Sequence, residues 1–153
     1  MDLSTSMNYV MMRAQAEAAA AKSSKPSVEC IFLGIFKLSE LSAEEIAPTS
    51  RHKPEIDEDI TVVKSELNNA GIDSSRSRAL LRGVVARGIE EDEQALIRCL
   101  AEASASAASR GVGEIWAQDM LAAILKAPTG AMLQVLPLDQ AAKGDIVQRE
   151  RNS

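Results

Sequence analysis

One apolar pattern occurs twice in this 153-residue chain, and that recurrence constrains the fold more than any single motif. Val28, Ile31, Phe32, Ile35 and Phe36 fall at i, i+3, i+4, i+7 and i+8 and are followed by Lys37. Ala117, Met120, Leu121, Ile124 and Leu125 fall at the same spacing and are followed by Lys126. Residues so spaced form one stripe of a helix. An Ala-rich amphipathic stretch and a short polar break precede each block. Such self-similarity points to a duplicated unit in which neither copy buries its stripe alone, so that the two pack on each other. The expected architecture is all-α, with two tandem pseudo-symmetric helical repeats of about four helices each, packed as one compact domain.

Composition agrees with helix packing. Hydrophobic residues make up 46% of the chain but aromatics only 3%, so the core must be built from Ala, Leu, Ile, Val and Met. The formal net charge of -5 argues against general binding to nucleic acid, which needs surplus Lys and Arg to displace counterions. No apolar run approaches the ~18 residues that a membrane span requires, and no signal peptide is visible, so the cytoplasm is the expected compartment. Cys30 and Cys99 both fall on apolar helix faces and read as buried thiols. No Cys/His spacing suggests zinc, and no metal or cofactor is expected.

Along the chain, Ser4, Thr5 or Ser6 caps a first helix running to about Ala21, with Met7, Val10, Met11, Ala14 and Ala18 on one face. Pro26 and Ser27 open the second, to about Lys37. Ser42 to Glu45 reads as a capping box, and Pro48 to Pro54, which holds the only histidine, His52, as an exposed loop. Ile56, Ile60, Val63 and Leu67 mark the next helix, which Gly71 ends. Asp73, Ser74 and Ser75 cap a bridging helix carrying Leu80, Leu81, Val84 and Val85, which Gly88 ends. Near Asp92 a long helix begins, defined by Leu96, Ile97, Leu100, Ala103 and Ala107. Trp116 to Lys126 follows, then a short final helix from Gly130 to Leu136. No strand pattern of useful length is visible. From Asp139 onward the chain reads as a linker or flexible tail.

Ser27-Val28-Glu29-Cys30-Ile31-Phe32-Leu33-Gly34-Ile35-Phe36 resembles the second-helix signature of the amino-terminal domain of Clp ATPases, the bacterial unfoldase and disaggregase chaperones. Ile115 to Leu125 resembles the same signature in that domain's second repeat. Asn69 to Asp73 resembles the turn closing its first repeat, and Leu133 to Leu136 its last helix. The resemblance covers about residues 5–138. It implies a repeat at about 5–73, a second at about 76–138, and a polar insertion at about 39–55. The family's Glu-His pair stands here as Glu29-Cys30 and Gln118-Asp119.

The candidate chemistry is recognition. No GxxxxGK[ST] loop is present, so this chain does not hydrolyse ATP by that route, and no acid, base and nucleophile converge as an enzyme would need. If the resemblance holds, the motor lies beyond Ser153. Glu29 falls in the first turn of its helix, where a carboxylate meets the helix dipole favourably. In one branch of the family the equivalent Glu resembles a receptor for phosphorylated arginine. Arg76, Arg78, Arg82 and Arg87 give the bridging helix a basic edge. That edge reads either as a solvated face balanced by Glu90, Glu91 and Asp92 or as a docking surface for an acidic adaptor. Met7 and Met11 read as core, whereas Tyr9 and Met12 fall off the stripe and are expected near a groove between the repeats.

The resemblance therefore implies a non-catalytic domain that binds unfolded or tagged clients or an adaptor through Tyr9, Met12, Glu29, Arg76, Arg78 and Arg82. It would present clients to a Clp ATPase ring and be monomeric when isolated. The alternative is a free-standing adaptor or regulator of the same fold that docks on a Clp protease or chaperone. A regulator using Arg76 to Arg87 on nucleic acid is the reading that the net charge disfavours.

Overall fold

A computed structural model describes residues 1–89 and 92–136. The expected linker or tail at 139–153, the last residues of the expected second repeat at 137–138, and the expected balancing acids Glu90 and Glu91 lie outside the described residues. Eight helices carry the fold: α1 (Thr5–Ala20), α2 (Val28–Ser39), α3 (Ala43–Ile46), α4 (Lys53–Asn69), α5 (Ser74–Ala86), α6 (Glu93–Ser109), α7 (Ala117–Lys126) and α8 (Gly130–Val135). The described residues are all-α apart from one two-residue parallel pairing, β1 (Asp2–Leu3) on β2 (Glu114–Ile115).

Helix ends follow local chemistry. Side-chain oxygens of Ser4, Ser27, Ser42, Asp73, Asp92 and Thr129 accept from backbone N–H groups in the first turns of α1, α2, α3, α5, α6 and α8, which those turns cannot satisfy internally. Gly71 takes φ +72° just past α4, where a β-carbon would be strained. The corresponding position after α1 is Lys22, at φ 59°, an uncommon conformation for a residue with a side chain. The segment 39–55 is built around α3, whose first N–H, from Ala43, donates to Asp57 on α4 at 3.0 Å.

α2 is the centre of the molecule. Eleven of its 12 residues are buried, so the expected single stripe is an apolar surface on all sides, with α1, α4, α5, α6 and α7 packed round it. Phe32 and Phe36 stack at 4.4 Å between ring centroids. Gly34 lets α1 come close: a β-carbon there would stand 2.6 Å from the Val10 carbonyl oxygen.

Two stripes differ from the sequence reading. On α6 the buried line is Ala95, Cys99, Ala103 and Ala107; Leu96 and Leu100 flank it, and Ile97 is 56% exposed. Small side chains let α7 pack closely on that face, which places the larger residues at its edge. On α5 Ser77 takes the inward position with Leu81, Val84 and Val85, leaving Leu80 45% exposed. No helix of the described residues is long and apolar enough to cross a membrane.

Cys30 and Cys99 are both buried, and burial pushes the Cys99 thiol above its ordinary range. A thiol so held is seldom ionised near neutral pH, and the thiolate is the reactive form. Native protein should therefore leave Cys99 unlabelled by a disulfide reagent at pH 7.5 for at least ten times longer than urea-unfolded protein. Equal rates would contradict its burial.

Candidate functional site

An open groove of about 1400 Å³ lies where the α1–α2 turn, the end of α5, the start of α6 and the start of α8 converge. Its apolar lining includes Val28, Val84, Val85, Ile89, Leu96 and Ile97. The misread face of α6 thus supplies the groove with its exposed Ile97. Lys25 and Glu93 pair across the rim at 3.5 Å, a solvated contact of little energetic weight.

Glu29 lies in this groove, at the second position of α2, and is only 7% exposed. Its carboxylate has no hydrogen-bond or ion-pair partner among the described residues and stands in the first turn of α2, where the helix dipole is favourable to a negative group. Cys30 lines the same groove and its thiol meets the Ser27 hydroxyl at 3.4 Å.

The expected basic edge of α5 is mostly spent inside the molecule. Arg82 forms a two-pronged pair with Glu17 of α1, at 3.1 and 2.6 Å, and Arg78 pairs with Glu40 at the end of α2 at 2.5 Å. Among the described residues, these two acids are the partners of the α5 arginines. Arg76 is exposed with no ion pair among the described residues, and Arg87 lies by the groove. Tyr9 is half-buried on α1 and Met12 is 57% exposed; neither lines the groove. Of the six expected binding residues, only Glu29 is in the groove; α1 meets the groove only past its carboxy-terminal end, at Ala21, well beyond Tyr9 and Met12.

Asp119 is structural. It is 1% exposed, accepts from the Trp116 backbone N–H at 2.9 Å and receives the Arg110 guanidinium at 3.0 and 2.7 Å. Arg110 also lies 5.1 Å over the Trp116 ring. Asp59, unremarked in the sequence, caps the same helix from α4. It accepts from the backbone N–H groups of Ala117 and Gln118 at 2.9 Å each, from the Gln118 side chain at 3.3 Å and from the Ser6 hydroxyl. The signal was available, since position 59 falls on the inward stripe set by Ile56 and Val63.

No group of three metal-binding side chains occurs among the described residues. No protein-family profile, curated protein or solved structure matches this chain.

Proposed function

We propose that this chain is a non-catalytic binding domain like that at the amino terminus of Clp ATPases, made of two tandem helical units at about 5–73 and 76–138. It holds extended segments of unfolded cytoplasmic clients and presents them to an ATPase ring whose motor is absent from this chain. The observation that carries the reading is the groove: an open concavity with an aliphatic wall, the exposed Ile97 and the Glu29 carboxylate, which has no partner among the described residues. Aliphatic surface of this kind accepts many sequences, and Glu29 favours a client segment carrying a cationic side chain. Individual contacts need only be weak, because several copies around a ring raise the effective affinity and a client must still be released into the pore.

Two-dimensional NMR titration of the domain with a permanently unfolded protein tests this. Shifts are expected at Val85, Leu96 and Ile97. Ile97→Glu, on an exposed position, should reduce the affinity at least fivefold while changing stability by less than about 0.5 kcal/mol. A phosphoarginine-bearing peptide in the same titration reports whether Glu29 reads that group. Saturation with the unfolded protein that leaves the groove unshifted, or no shift with either ligand, removes the reading.

A further inference from the structure

α5 and its carboxy-terminal cap carry four arginines and no acid. The fold uses two of them, since Glu40 holds Arg78 and Glu17 holds Arg82. Arg76 and Arg87 are exposed and in no ion pair among the described residues. Arg76, Leu80, Gly83 and Arg87 fall at i, i+4, i+7 and i+11, so they line up along one strip of the helix. The strip is turned away from Ser77, Leu81, Val84 and Val85, which face the core. Leu80 is 45% exposed in its middle, and Ala79 and Ala86 beside it are exposed too.

Gly83 is the telling member. Glycine inside a helix costs stability relative to Ala, so its presence needs a reason. Gly34 has one within the fold, because α1 passes against it. Gly83 has none: a β-carbon there would meet only the end of the Arg87 side chain, at 3.9 Å. What the glycine provides is a bare stretch of backbone on the outer strip, beside an exposed Leu80 and between two unpaired cations. The acids nearest the strip are already engaged. Glu17 and Glu40 are bound to Arg82 and Arg78, and Asp73 accepts from the Arg76 backbone N–H at 2.9 Å. We infer that the outer strip of α5 is a docking face for an amphipathic acidic helix of a partner protein, packed closely over Gly83. An aliphatic side chain of that helix rests on Leu80, and a Glu or Asp at each end meets Arg76 and Arg87. The two arginines are eleven positions apart, roughly 16 Å along the axis, so about three turns of partner helix span them. Leu80 and Gly83 do not line the groove, and the inference does not depend on the groove's binding clients.

NMR titration of the full chain tests the face with two probes. One is an Ala/Leu-rich helical peptide of about 18 residues with two Glu eleven positions apart; the other has Gln in place of both Glu. The Glu peptide should give saturable one-to-one shifts at Arg76, Leu80 and Gly83, weakening about fivefold between roughly 50 and 500 mM salt. Leu80→Glu should lower the affinity at least tenfold and Arg76→Glu at least fivefold. Lys64→Glu, the same charge change on an exposed position of α4, should leave it unchanged, as should Ile97→Glu in the groove. Gly83→Leu is the sharpest variant: it should unfold at or above the urea midpoint of the parent and yet bind at least fivefold more weakly, because the close approach is blocked. No saturable binding up to about 1 mM peptide, equal binding of the Gln peptide, shifts confined to Leu96 and Ile97, equal losses in Lys64→Glu and Arg76→Glu, or parent-like affinity in Gly83→Leu each overturns the proposal.

Discussion

Asp59→Ala is expected to destabilise the fold by about 3 kcal/mol, a shift of roughly 2 M in the urea midpoint. The carboxylate is fully buried and gathers the Ser6 hydroxyl, the Gln118 side chain and the first two backbone N–H groups of α7. Ala leaves all four donors facing a dry void, and removes a negative charge from the positive end of α7. Trp116, the only tryptophan, stands at the start of that helix and reports the transition by fluorescence. The effect has a pH signature. Burial pushes the Asp59 carboxyl above its ordinary 3.8, against the hydrogen bonds that pull it down. A raised folded value means that native protein holds the proton more tightly. That contribution is complete below the unfolded value and is lost as pH rises through the folded one. The stability gap between parent and Asp59→Ala should therefore widen from pH 7 towards pH 4. A gap that narrows on acidification, or a midpoint within 0.5 M of the parent, as for a neutral surface change, would refute this account.

Gly34→Val should cost about 3 kcal/mol for a different reason. The new β-carbon would meet the Val10 carbonyl oxygen at 2.6 Å and the Val10 Cγ1 at 3.2 Å. The first obstacle is backbone, so the only relief is separation of α1 from α2, which opens the core around Phe32 and Phe36. Gly83→Ala is the matching control. Its β-carbon meets only the end of the Arg87 side chain at 3.9 Å, so helix propensity governs and stability should rise by about 0.5–1 kcal/mol. Urea unfolding of both variants gives opposite signs if close approach decides the outcome. A Gly34→Val protein as stable as its parent would show that the helices are not in contact there.

What was legible in the sequence was chiefly what is local. The caps at Ser27, Ser42, Asp73 and Asp92 and the stop at Gly71 each depend on a few consecutive residues, and each was placed to within a residue or two. The all-α class followed from periodicity and the scarcity of aromatics. Facing was harder. Leu96 and Ile97 outrank Ala95 and Cys99 by size, yet the closest helix approach is made by the small side chains, and periodicity alone does not say which of two adjacent stripes a neighbour will cover. The arginines of the α5 edge were legible in the sequence but their partners were not, because Glu17 and Glu40 are distant in sequence. The groove was invisible for the same reason: its walls come from four separated segments. Of the six binding residues expected from the sequence, Glu29 alone lines it.

The two-residue pairing of β1 with β2 has a consequence for how the protein is made. Leu3 finds its partner only at Ile115, and Ser4 donates to the Ile115 carbonyl at 3.0 Å. A ribosome adding roughly 5–20 residues per second needs on the order of 6–20 s to reach that partner after the first residues have emerged. For that interval Asp2 and Leu3 lack their strand partner, and the Asp59 cluster that Ser6 completes has no helix to cap. Growth of the chain, rather than the speed of helix formation, sets when this joint can first close.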